Sequence, residues 1–248
     1  MLKLNPIEMK KLLLVLGCFV SVLSLAQETD KPYEFPIKPG MKEWANLNTS
    51  EKKDEVCVIP EQVLKSISTK ALLLTCFNYP RLVDFFAAND LQKCFEFYAN
   101  HFDGLKELLI RPDLNKVLLE YYPEIDVSDY TFFGESNKPT FIQIAFFELL
   151  LAQDEIIQSY NISDRAIIKN IAIKNLEIRR QKNESIGRQI TNALILSRIL
   201  YAMDKAVFEN TDDSIPFNIF NSHVVVLDTS ILDKILNLSF ASDFRPLA

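Results

Sequence analysis

Thr140-Phe141-Ile142-Gln143-Ile144-Ala145-Phe146-Phe147-Glu148-Leu149-Leu150-Leu151 is the stretch on which the fold turns. Apolar side chains fall on nearly every side of a helix drawn through it and on to Tyr160, with Gln143 and Glu148 as interruptions. Such a helix has no face to offer water, so it predicts a central element packed on several sides by others. It is also too short to span a bilayer comfortably.

Working outward from it, the flanking segments repeat the helical period. Downstream, Ser163-Asp164 reads as a cap for a helix with Ile167, Ile168, Ile171, Ala172 and Leu176 on one arc. Lys169, Asn170, Lys174, Glu177 and Arg180 lie on the other, which predicts a surface helix with a solvated charged face. Arg179, Arg180 and Lys182 suit the negative end of its dipole. Ile186 to Phe208 predicts another helix, with Ile190, Ala193, Leu194, Ser197, Tyr201 and Phe208 sharing a face. Thr229 reads as the cap of a last helix carrying Ile231, Leu232, Ile235 and Leu236. The β-branched run from His223 to Leu227 is too short to assign.

Upstream, residues 60–122 read as short helices joined by tight corners. Ser68 or Thr69 and Asp90 are capping residues, and Pro80, Gly104 and Pro112 are breaks. Five glycines in 248 residues are too few for the tight turns and phosphate loops of doubly wound sheets or β-sandwiches. The expected fold is all-α, an irregular helical bundle or a short α-solenoid-like stack of helix pairs. The expected division is a signal peptide over 1–26, a linker or N-terminal arm over 27–54, and a helical domain over 55–248 with a possible seam near 130–139.

The leader reading rests on Lys10-Lys11, the apolar run Leu12 to Leu25, the small residues of Ser24-Leu25-Ala26 and the polar Gln27-Glu28-Thr29-Asp30. It predicts export to the periplasm or the extracellular space, with no transmembrane segment after cleavage. Val15-Leu16-Gly17-Cys18 offers a lipoprotein alternative, which the apolar residues after Cys18 disfavour. The chain carries a formal net charge of −6, and removal of the lysine-bearing leader makes the remainder more acidic. With no basic block, nucleic acid is not an expected partner.

Three cysteines follow the leader, Cys57, Cys76 and Cys94, so at most one internal disulfide can form. The chain has two histidines, His101 and His223. No metal-ligand spacing, phosphate loop or nucleophile elbow is present, so neither a metal nor a cofactor is expected. Cys94 and His101 share a helix face but stand roughly 10 Å apart along its axis, too far for a dyad. A long-range pair of Cys57, Cys76 or Cys94 with His223, oriented by Asn221 or Asp228, or with His101, is the remaining catalytic arrangement. Set against it, Cys76 beside Phe77 and Cys94 beside Phe95 read as small core residues. Glu120 and Glu124, Asp154-Glu155 and Asp212-Asp213 read as solvated charges or caps, not facing carboxylates. Trp44, Tyr121 and Tyr122 are the candidate binding residues.

Between Trp44 and Leu109 stand Cys57-Val58-Ile59-Pro60, Ser68-Thr69, Thr75-Cys76-Phe77-Asn78-Tyr79-Pro80 and Phe102-Asp103-Gly104-Leu105-Lys106-Glu107-Leu108-Leu109. By these stretches the region resembles a family of exported, mostly helical proteins of gut Bacteroidota. The segment from Lys174 to Tyr201 fits the same pattern. The resemblance implies export and a helical fold, and brings no activity and no catalytic residues. The function expected from all of this is non-catalytic binding of, or a structural role with, a protein or another envelope component. A cysteine-dependent hydrolase and a carbohydrate-binding protein are the alternatives.

Overall fold

The computed structural model describes residues 30–87, 89–131, 138–204, 214–226 and 230–241. The expected leader, the lipoprotein cysteine, Phe208, Asp212-Asp213, Leu227, Asp228 and the Thr229 cap lie outside them. The described residues form thirteen α-helices and no sheet. They are α1 (Lys42–Ala45), α2 (Ser50–Val56), α3 (Glu61–Ser66), α4 (Thr69–Phe77), α5 (Leu91–His101), α6 (Asp103–Leu109) and α7 (Leu114–Tyr121). Then come α8 (Phe141–Leu151), α9 (Asp154–Ser159), α10 (Ile162–Gln181), α11 (Ile186–Met203), α12 (Ser214–His223) and α13 (Ser230–Ala241). Two 3-10 turns, Leu82–Phe86 and Tyr122–Glu124, complete the set. The fold is all-α, an irregular packing of helices.

Helix α8 is central, as its all-round apolar surface requires. Thr140 opens it with a reciprocal cap: its side chain accepts from the Gln143 amide, and the Gln143 side chain accepts from the Thr140 amide. Ile144 through Leu151 are all buried. Neighbours α4, α11 and the first 3-10 turn close over it.

The helix expected to run from Thr140 to Tyr160 breaks after Leu151. The orphan carbonyls of its last turn find side chains in place of a further turn. Arg198 Nη1 donates to the Ala152 carbonyl at 2.9 Å, and Gln153 Nε2 to the Leu149 carbonyl at 2.7 Å. Gln153 then turns extended, and Asp154 and Glu155 start α9 with negative charge where the dipole favours it.

The buried Glu148 on α8 is paired. Its carboxylate accepts from Arg179 on α10 through two bonds, Nη1 to Oε2 at 3.0 Å and Nη2 to Oε1 at 3.1 Å. Thr191 on α11 donates to the same carboxylate at 2.6 Å. Both charged side chains are sealed from solvent, at 1% and 0% exposure. Arg179, expected with Arg180 and Lys182 to serve the helix dipole, is thus taken up by a buried ion pair. Lys169, expected on the solvated arc, is also buried and donates to the Ser239 carbonyl on α13 at 3.0 Å. The α10 cap is Asn161, whose side chain accepts from the Asp164 amide at 2.9 Å; Ser163 and Asp164 sit in the first turn.

The short helices of the first half surround an aromatic cluster. Tyr79 stacks on Phe102 at 3.9 Å and Phe85 on Tyr98 at 4.1 Å, and Phe85 and Phe77 each meet Phe146 of α8 edge-on. Offset and edge-to-face pairs like these add to the area they bury. Through Phe146 the buried side chains of both halves join one continuous core. The segment read as a linker is partly held by that core: Phe35 is buried against Tyr79 and Phe102, and the Tyr33 amide donates to Thr75 Oγ1 at 2.8 Å. The predicted seam falls partly outside the described residues; at its edges, Thr131 pairs with the chain at Pro139–Phe141 by two backbone bonds.

Two consequences are measurable by urea unfolding. Removing one partner of the buried pair, by Glu148→Gln or Arg179→Met, costs about 3–5 kcal/mol, because the other is left buried and unpaired. The double variant Glu148→Leu/Arg179→Met is far less destabilised than the sum of the single changes. At Gly104, an added Cβ meets Phe102 Cζ at 2.5 Å and Ile59 Cδ1 at 2.8 Å. Gly104→Ala therefore lowers stability by about 1–3 kcal/mol through overpacking.

Candidate functional site

Cys57, Cys76 and Cys94 are all free thiols. Cys57 and Cys76 are buried, and burial pushes the Cys57 thiol up to about 12 and the Cys76 thiol well above its ordinary value. Cys94 is half-buried on α5, and burial followed by the carboxylates of Asp90 and Asp84 raises it too. An attacking sulfur needs the opposite, a neighbouring cation or base that favours the thiolate.

The histidines are engaged elsewhere. His101 is exposed, stacks on Phe97 at 4.0 Å and has Nδ1 2.7 Å from the Phe97 carbonyl. His223, at the C-terminus of α12, has Nδ1 3.0 Å from Asp90 Oδ2. Asp90 is the cap of α5, accepting from the Lys93 amide at 3.0 Å. The residue expected to orient an imidazole, Asn221, instead accepts from Ser197 Oγ at 3.0 Å. No group of three or more His, Cys, Asp or Glu side chains gathers as a metal site among the described residues.

The three aromatic candidates have separate fates. Tyr122 is fully buried, and its hydroxyl accepts from Asn192 Nδ2 at 3.0 Å, so it belongs to the core and not to a binding surface. Trp44 is half-buried against the core, with the Lys53 ammonium 5.5 Å from its ring centre. Tyr121, one residue before Tyr122, lines an open cleft of about 240 Å³.

That cleft lies between the end of α7 with its 3-10 turn and the start of α8. Phe77, Tyr121, Ile125, Pro139 and Ile144 supply its apolar walls, and Glu124, Asp126, Asp129, Lys138 and Gln143 its polar ones. Each polar group is held. The Gln143 amide is spent on the Thr140 cap and on the Phe77 carbonyl, which accepts at 3.1 Å. Asp129 Oδ2 pairs with Lys138 Nζ at 2.6 Å, and Glu124 Oε2 lies 3.9 Å from Lys70 Nζ. Asp126 accepts from the Ser128 amide at 2.8 Å, and the Ser128 side chain and amide hold its carboxyl below the usual range. Burial and the Glu124 carboxylate push the Tyr121 phenol up, so it stays a neutral donor.

A second concavity of about 360 Å³ lies between α5 and α9. Gln92 anchors it by donating to Gln153 Oε1 at 3.0 Å and accepting from Arg198 Nη2 at 2.8 Å. Glu96 and Glu155 stand on its rim over Phe95, Leu109 and Ile156.

Periodicity ranked the aromatics as core and the acids as solvated, which missed the convergence of Glu124, Asp126, Asp129 and Lys138 around Tyr121. The local signal for it was Asp126-Val127-Ser128-Asp129, a run whose side chains close a turn on their own backbone. No protein-family model matches the chain, and no curated protein or solved structure matches it either. No helix among the described residues is long and apolar enough to cross a membrane.

The insulation of the thiols is measurable. In folded protein near pH 8, Cys57 and Cys76 alkylate at least about ten-fold more slowly than in denatured protein, and Cys94 is slowed less, because only the accessible thiolate reacts.

Proposed function

We propose that this chain is an exported, non-catalytic binding module of the cell envelope. The observation that carries the binding role is the cleft beside Tyr121, where aromatic and hydrogen-bonding side chains from α4, α7, α8 and their connecting turns converge. A concave site with apolar walls and a few fixed polar groups is the usual form of a ligand site. The cysteine-dependent alternative gains nothing from the geometry, since each thiol is biased toward its inert protonated form. Export is supported by the leader pattern and by the resemblance to exported helical proteins.

The test places a photo-cross-linking residue at Ile125 on the cleft wall, and separately at the exposed Asn237 on α13, in protein expressed with its leader. The expected result is fractionation with the envelope and a discrete adduct from position 125 but not from position 237. Retention in the cytoplasm would remove the export half of the proposal. Identical labelling from both positions would remove the binding half.

A further inference from the structure

Tyr122, Asn175 and Asn192 meet inside the protein, where the 3-10 turn after α7 packs on α10 and α11. All three are sealed from solvent, at 0%, 4% and 0% exposure. Phe147 lies against the Tyr122 ring, with centres 5.7 Å apart. Asn192 Nδ2 donates to the Tyr122 hydroxyl at 3.0 Å. The Asn175 amide lies beside the same hydroxyl, yet its Nδ2 makes no hydrogen bond among the described residues, and neither does Asn192 Oδ1. Burial, with the Glu148 carboxylate nearby, pushes the Tyr122 phenol up, so the hydroxyl keeps a proton of its own to give.

Buried amide groups are rarely left unmet, because such a group has given up its hydration for nothing. The backbone cannot settle the account. Asn175 and Asn192 both stand in mid-helix, where amides and carbonyls are spent on the helix ladder. The trio therefore holds two donors, Asn175 Nδ2 and the Tyr122 hydroxyl, and one acceptor, Asn192 Oδ1. A molecule that accepts twice and donates once meets all three. Turning the Asn192 amide over moves the shortfall without removing it: Oδ1 would then take the Tyr122 proton, and Nδ2 would join Asn175 Nδ2 as a second donor in need of an acceptor. The trio lines neither of the two concavities described above, so its ligand is a small one.

We propose that one water molecule is built into this core, accepting from Asn175 Nδ2 and the Tyr122 hydroxyl and donating to Asn192 Oδ1. Three partners are the usual complement of a buried water. The bridge ties the end of α7 to both long helices, and Asn175 stands one helical turn before Arg179 while Asn192 follows Thr191. The water thus extends the polar contacts around Glu148 to the turn that carries Tyr122. It is independent of what the Tyr121 cleft binds.

Two measurements on the folded protein test this. A high-resolution crystal structure should show one compact density peak at hydrogen-bonding distance from Asn175, Asn192 and the Tyr122 hydroxyl. Oxygen-17 relaxation dispersion, which counts long-lived internal waters and is blind to hydroxyl proton exchange, should fall by the amplitude of one water in Asn175→Leu/Asn192→Leu. Circular dichroism establishes that the double variant is folded; if it is not, the wild-type density decides. The proposal is overturned by a structure in which the three side chains bond directly to one another with no peak between them. It is equally overturned by an unchanged dispersion amplitude in the folded double variant.

Discussion

Glu148 sits in the part of α8, Ile144 to Leu151, that is buried throughout, and a carboxylate there is tolerable only with a partner fixed beside it. Arg179 supplies a planar fork, and Thr191 takes up a remaining lone pair. Because a two-bonded guanidinium–carboxylate pair accepts little rotation or slippage, it sets how α8, α10 and α11 lie against one another. A purely apolar contact between three such helices would tolerate several registers at similar energy. The desolvation of the two charges is a cost, offset by their mutual bonds, and what it secures is a single arrangement.

The cleft depends on that arrangement. Asn192, one residue after Thr191 on α11, holds the Tyr122 hydroxyl inside the core. With Tyr122 fixed inward at the α7 end, the preceding Tyr121 is left at the margin, half-buried and facing the cleft. On the opposite wall, the cap that starts α8 also positions Gln143, whose amide ties α8 to the end of α4. The same contacts that stabilise the helix ends shape the walls of the site.

Helical class and the central position of α8 were legible because an apolar surface on every side of a helix has only one physical resolution. The short helices of the first half were legible from caps and breaks. The pairing of Glu148 with Arg179 was not, although a lone carboxylate in such a helix already demanded a cation from somewhere. What the sequence lacked was the identity of that cation, since Arg179 stands with Arg180 and Lys182 at a helix end where positive charge needs no other reason. Lys169 was misplaced for a similar cause: its long stem lets the ammonium reach the Ser239 carbonyl from a position the period assigns to solvent. The break after Leu151 was invisible because it is made by Arg198, distant in sequence. The cleft was half legible: Tyr121 stood out by type, but the acids around it come from a turn whose path no periodicity describes.

The docking of the arm has a consequence for the order of assembly. Phe35 lodges against Tyr79 and Phe102, and the Tyr33 amide is satisfied by Thr75. A chain that emerges amino end first presents these two aromatic residues long before their receptor exists. Until Phe102 has appeared at the junction of α5 and α6, the pocket that receives Phe35 is incomplete. The earliest part of the arm to be made is thus among the last to be seated, and its closure over the first-half core reports that this half is complete.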